Sequence, residues 1–200
     1  MYFMISKLSI TWCLIAAAVS FVGMVAVCMA LYPKVFQHLD NGVSYFGSVR
    51  ATFIPYYLGF GLTITCIAVI AARLRRLDRA LSAVFWSVVV CMSGVALTSY
   101  SLNHTVYALH WAFAIALALC ILGACFWLVG RGNLAKLDYL LVGLIVTAIV
   151  ISALPVVGHI PVVKVYIPRE LLIFLCSLWL LGRAALKAAS IVHRPLARTN

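Results

Sequence analysis

The chain of 200 residues is too apolar for a water-soluble protein: 66% of its residues are hydrophobic, only 10% are charged, and the mean hydropathy is +1.15. Soluble domains have roughly 45–50% apolar and about 25% charged residues, so a soluble fold is excluded. The net charge of +11 comes from 15 Lys and Arg against 4 Asp and Glu. These charges separate apolar runs, which favours anionic lipid headgroups as partners over nucleic acid.

Apolar runs between charged residues and Pro or Gly predict six membrane-spanning helices, because one span needs about 20 apolar residues. In chain order they lie near 8–32, 52–72, 80–100, 105–130, 138–159 and 168–189. Short connections leave no room for a soluble domain, so residues 1–200 are predicted to form a single all-α polytopic membrane bundle. Pro168 suits the first turn of helix six, whereas Pro155 is expected to kink or end helix five.

The first apolar run, Leu8 to Tyr32, exceeds the roughly 7–15 residues of a signal-peptide core, and no clear cleavage site follows it. We therefore expect it to remain as the first helix. The seven cysteines lie inside apolar runs, without zinc-site spacing or a secreted disulfide pattern, and are predicted to be packing residues.

The positions of Lys and Arg predict that both termini are cytoplasmic, because positively charged loops resist translocation. The densest basic cluster lies between helices two and three. It is predicted to anchor the topology and to contact anionic inner-leaflet lipid through Arg73, Arg75, Arg76 and Arg79. In this orientation most tyrosines, including Tyr32, Tyr45, Tyr56, Tyr57, Tyr100, Tyr107 and Tyr166, fall at the outer membrane interface.

Several polar groups share the predicted outer level. Ionisable side chains at membrane depth are costly unless they face the bundle interior, so His110 and Glu170 are the main functional candidates. Helical offsets place Asn103 and Tyr107 on the face of His110, and Ser177 on the face of Glu170.

We expect His110 and Glu170 to act in one outward-facing pocket as an acid/base or hydrogen-bonding pair. Ligand contacts are predicted for Ser44, Arg50, Asn103, Tyr107 and Arg169, with the two arginines engaging an anionic group. A helix clasp between His110 and Glu170, and a local ion pair for Arg169, remain structural alternatives.

Established enzyme signatures such as His-Glu-x-x-His, Gly-x-Ser-x-Gly and the Walker loop are missing from the sequence. Whether the protein is an enzyme stays open, and no metal or cofactor is predicted. A metal hydrolase would need several of Asp40, His104, His110, His159 and Glu170 to converge, and a haem would need His110 with His159. A non-catalytic transporter or scaffold subunit is the main alternative, although the helix centres offer only Ser, Thr and Cys.

Three segments carry a family resemblance: 41–48 leading into helix two, 103–110 opening helix four, and 169–179 in helix six. Together they resemble a bacterial six-helix membrane family, domain of unknown function 998, whose wider group resembles the FRAG/DRAM/SFK proteins. The resemblance covers nearly the whole chain and implies six helices in a prokaryotic cell membrane. Eukaryotic relatives that remodel the lipid of GPI anchors or modulate autophagy suggest a link to lipid by analogy. Ser44-Tyr45 stands where the family has a Ser-Glu pair, which removes a carboxylate.

The residues and the resemblance together predict a multi-pass protein that binds a lipid headgroup or small amphiphile, and they leave open whether it also processes that ligand.

Overall fold

A computed structural model describes residues 2–34, 42–98, 104–132, 134–158 and 166–191, with the side chains of 2–7, 104, 154–158 and 191 left aside. The described part is helical, contains no strand, and confirms six helices long and apolar enough to cross a membrane. These helices are α1 (Tyr2–Leu31), α2 (Phe53–Leu74), α3 (Arg79–Leu97), α4 (His104–Gly130), α5 (Lys136–Gly158) and α6 (Tyr166–Ile191). The predicted all-α class is therefore correct, and the orientation in the membrane stays a prediction.

The helix ends differ from the predicted ones by a few residues at most positions. The largest difference is α1, which starts well before Leu8. Pro155 does not end α5, which continues to Gly158. Pro168 lies in the first turn of α6, as predicted, where the absence of its N–H leaves no helical hydrogen bond unmade.

The helices are arranged as a ring that is tightly packed on one side and loosely packed on the other. Helices α1 to α4 each pack on the next one along the chain, α5 packs on α6, and α6 returns to α1. The order around the ring is α4, α3, α2, α1, α6, α5, and α4 contacts α5 and α6 at only a few positions. Large apolar side chains such as Ile54 and Leu97 are exposed on the outside, as expected for a surface that faces lipid.

Glycine permits close helix contacts on the tightly packed side. A Cβ at Gly59 of α2 would collide with the Met24 side chain of α1, and a Cβ at Gly94 of α3 would collide with the Phe113 ring of α4. Small residues favour association of membrane helices because lipid supplies no hydrophobic driving force.

The connection between α1 and α2 is predicted as an external loop, but its second half is folded onto the bundle. Residues Val43–Ser48 form a 3₁₀ segment in which Val43, Phe46 and Gly47 are buried. The fully buried Thr52 hydroxyl lies 2.6 Å from the Phe46 carbonyl oxygen, to which it donates. We call the bundle end that carries this segment the outer end, and the end with the α2–α3 connection the inner end.

Two ion pairs fasten the inner end. Asp78 caps α3 by accepting the Leu81 N–H at 3.0 Å and pairs with Arg131, which follows α4, at 2.8 Å. Partial burial opposes ionisation of Asp78, but its hydrogen bonds and Arg131 outweigh burial and lower the pKa of this carboxyl below its ordinary value. Asp138 of α5 pairs with Arg183 of α6 at 2.7 Å. Each pair thus joins two helices that are consecutive in the chain.

Candidate functional site

A cavity of about 230 Å³ lies inside the ring and extends inward from the 3₁₀ segment. Residues of α2, α3, α4 and α6 supply most of its wall, and its only polar lining residues among those described are Ser44, His110, Glu170 and Ser177. The apolar lining continues inward to Ile67, Phe85, Ile121 and Leu181. At about 1.5 Å rise per residue, the lining from Glu170 to Leu181 covers about 16 Å of α6, roughly half the thickness of a bilayer's hydrocarbon core.

Glu170 links α6 to the 3₁₀ segment. Its Oε2 accepts the Val43 N–H at 2.6 Å, which satisfies a donor that the first turn of the segment cannot pair internally. Gly42 lies directly against the carboxylate: a Cβ there would collide with Oε1 and lie 3.1 Å from Cδ. The position of Glu170 in the first turns of α6 therefore sets where the 3₁₀ segment rests on the bundle.

His110 of α4 also lines the cavity and contacts the end of α3. Its side chain is buried, and its Nδ1 is 3.5 Å from the Oγ1 of Thr98, the residue that caps α3. The Thr98 hydroxyl is itself bonded to the Gly94 carbonyl oxygen. His110 is therefore held at the level where α3 ends, just inside the outer end of the bundle.

Two buried hydroxyls near this site have no hydrogen-bond partner among the described residues. Ser177 is only 7% exposed and lines the cavity seven residues after Glu170, which places it about 10 Å deeper along α6. Tyr56 is fully buried, and its hydroxyl lies within electrostatic reach of Glu170. A buried polar group without a partner is uncommon and requires an explanation.

The structure brings three of the predicted site residues together and separates others from them. Ser44, His110 and Glu170 line the cavity. Arg50 is exposed beyond the 3₁₀ segment, Arg169 places its guanidinium over the Tyr166 ring at 4.8 Å, and Tyr107 contacts the Trp111 ring. None of these last three lines the cavity, and Asn103 falls outside the described residues.

Only some of the residues that a metal or haem site would need are described in the structure. Asp40, His159 and the side chain of His104 lie outside the part of the chain that is described. Within that part, no three His, Cys, Asp or Glu side chains converge as a metal site would require.

Some site features escaped the sequence reasoning. Tyr56 is predicted at the membrane interface, but it is fully buried, with its ring against those of Tyr57 and Phe60. Ser177 carries a detectable signal, its helical offset from Glu170, but a serine in an apolar helix is usually a packing residue. The bond from the Val43 N–H joins groups 127 positions apart in the chain and leaves no local pattern.

The basic cluster forms a surface groove at the inner end. Arg75, Arg76 and Arg79 are exposed and line it together with Ser82 and the half-exposed Trp86. No described carboxylate pairs with these three arginines. Their charge is therefore available to an external anion.

Comparison of the chain with protein-family models, with characterised proteins and with solved structures gives no match. The resemblance to the domain of unknown function 998 family stays a prediction, and the argument for function depends on the cavity and the inner groove.

Proposed function

We propose that this multi-pass membrane protein binds a single-chain amphiphile in its outer cavity. The observation that carries the proposal is the distribution of polar groups: Ser44, His110 and Glu170 lie at the outer end of a cavity that is otherwise almost entirely apolar. Ligand sites typically combine an apolar wall with a few polar groups that fix orientation. The ligand's polar group lies beside these three residues, and its chain follows the wall toward Leu181.

The size of the cavity favours one chain over two. An apolar cavity of about 150 Å³ already holds a benzene molecule. A volume of about 230 Å³, whose lining extends along α6 from Glu170 to Leu181, leaves room for one hydrocarbon chain rather than two.

The position of the cavity suits a ligand that arrives from the membrane. It borders α4 and α6 on the side of the ring where α4 makes few helix contacts. A ligand crossing this side would separate fewer packed side chains than one crossing between α1 and α2.

The contacts support binding more directly than catalysis. No hydrogen bond joins the hydroxyl of Ser44 or Ser177 to His110 or Glu170 in the described structure. An activated serine nucleophile normally lies about 2.6–3.2 Å from its base. A transport pathway is also less well supported, since the described lining inward of Ser177 is apolar.

A matched pair of substitutions tests the proposal. Ala118→Trp places an indole in the cavity, whereas Ala112→Trp places one on an exposed position of the same helix. We expect lipid extraction and mass spectrometry of the purified proteins to show an amphiphile with the native chain and with Ala112→Trp. The same species should be depleted at least severalfold with Ala118→Trp. Equal lipid profiles in all three proteins would show that the amphiphile does not bind in the cavity.

For the inner end we propose contact with anionic inner-leaflet lipid through Arg75, Arg76 and Arg79 of the groove and the exposed Arg73 outside its lining. Basic residues near a negatively charged leaflet gain about 1 kcal/mol each. The half-exposed Trp86 beside the arginines is of the type that occupies the membrane interface.

A further inference from the structure

We infer that the polar group of the bound amphiphile is an uncharged or cationic hydrogen-bond donor, a hydroxyl or an ammonium group. This inference rests on the proposed function, since it specifies the ligand of the same cavity. It departs from the anionic ligand expected from the sequence.

The described polar lining is rich in acceptors and lacks a fixed positive charge. Glu170 has two carboxylate oxygens, and the Val43 N–H uses part of the acceptor capacity of one of them. The remaining capacity can accept a hydroxyl or an ammonium N–H. Ser44 can also accept, and His110 can accept through an unprotonated ring nitrogen.

The two arginines expected to hold an anion are placed elsewhere. Arg50 is exposed. Arg169 lies within electrostatic reach of Glu170, but its guanidinium lies over the Tyr166 ring and does not line the cavity. An anionic ligand would therefore meet the Glu170 carboxylate in an apolar enclosure, where like charges repel strongly.

The bond from the Val43 N–H fixes how Glu170 meets the cavity. The backbone N–H lies 2.6 Å from Oε2 and holds this oxygen as an acceptor in the cavity wall.

Four probes with the same twelve-carbon chain test the inference: dodecylamine, dodecanol, dodecanoate and dodecyl phosphate. Each is added at neutral pH to the full-length protein in nanodiscs of zwitterionic phospholipid. Binding is measured as the ligand-induced rise in thermal stability, because a ligand that binds only the folded state raises it by mass action. Ala118→Trp measures the effect of partition into the bilayer alone.

We expect dodecylamine and dodecanol to bind the native protein at least about tenfold more tightly than the two anions. Glu170→Gln should weaken the binding of dodecylamine by about tenfold or more, because it replaces the carboxyl group with an amide but keeps an acceptor for the Val43 N–H. Ser87→Ala, at an exposed position of α3 outside the cavity lining, is the control and should change the affinity of neither dodecylamine nor dodecanol.

The outcomes separate the two proposals. Equal or tighter binding of dodecanoate or dodecyl phosphate would overturn the inference and leave the cavity as a binding site. An effect of Ser87→Ala as large as that of Glu170→Gln would also overturn it, since the loss of dodecylamine affinity would then not come from the cavity carboxylate. If no probe raises the thermal stability of the native protein more than that of Ala118→Trp, the proposed function itself is wrong. The four probes are compared on the native protein, so this part of the test does not depend on whether any variant folds.

Discussion

The contact between Gly42 and Glu170 leads to a prediction that isolates one interaction. The backbone of Gly42 is extended, with φ of −76° and ψ of 176°, so alanine can adopt it without strain. The cost of Gly42→Ala is therefore steric: the new methyl group collides with the carboxylate that holds the Val43 N–H. We expect either the 3₁₀ segment or the Glu170 side chain to shift.

The magnitude follows from the two interactions involved. Forcing an extra methyl group into a packed site costs about 1–3 kcal/mol. Glu170→Ala removes a hydrogen bond to a charged group and leaves the Val43 N–H unpaired, a loss of about 1.5–3 kcal/mol. Once the carboxylate is absent, Gly42→Ala has nothing to collide with. The double variant should therefore resemble Glu170→Ala alone, which corresponds to a coupling of about 1–3 kcal/mol.

The assay is a double-mutant cycle of unfolding free energies for the protein in mild detergent. Gly61→Ala on α2 is the control, because a Cβ there meets no atom within 4 Å. Alanine in a helix interior should be neutral or stabilise by up to about 1 kcal/mol. Additive costs for Gly42→Ala and Glu170→Ala would show that the two residues do not touch, and the reasoning about the outer end would be wrong.

Three further predictions concern the rest of the bundle. Asp78→Ala should lower the free energy of unfolding by about 1 kcal/mol for the lost α3 cap and by up to about 1 kcal/mol for the lost ion pair with Arg131. Asp78→Asn should lose only the ion pair, because the amide oxygen can still cap α3. Because the pKa of Asp78 is lowered, its ionic contribution exists above about pH 4 and disappears as the pH falls through the folded-state pKa, so native protein and Asp78→Asn should converge in acid unfolding curves. Gly94→Ala should lower unfolding stability by about 1–3 kcal/mol because of the neighbouring ring, while Gly123→Ala, with open space around it, should not. Replacing both Arg75 and Arg76 by Gln should cause misinsertion, detected by cysteine accessibility on both membrane sides; correct insertion with a selective functional loss would indicate a regulatory lipid site.

The sequence predicts the six helices because the membrane imposes a strong, local constraint. Every backbone polar group in lipid must be paired within its own helix, so each span appears as a continuous apolar run. The boundaries shift by a few residues because a helix can continue past the charged residue that ends an apolar run, as α1 does from Lys7 back to Tyr2.

The site is less predictable because it depends on contacts between distant segments. His110 and Glu170 could be identified, since ionisable groups at membrane depth are expensive and therefore tend to face the interior. The folding of residues 43–48 onto the bundle could not be predicted from the sequence. This segment is held by the Glu170 carboxylate and the Thr52 hydroxyl, and it fits because Gly42 has no Cβ.

The three described acidic residues differ in what could explain an acidic side chain at their positions. Asp78 and Asp138 each pair with an arginine at the inner end, so their charges have a structural use. Glu170 instead accepts a neutral backbone N–H inside an apolar cavity. A glutamine carbonyl could accept the same bond without the cost of burying a charge, so anchoring of the 3₁₀ segment does not by itself account for a carboxylate. A ligand that donates to Glu170 does account for it, and Glu170→Gln should then remain folded while losing its preference for an ammonium-headed probe.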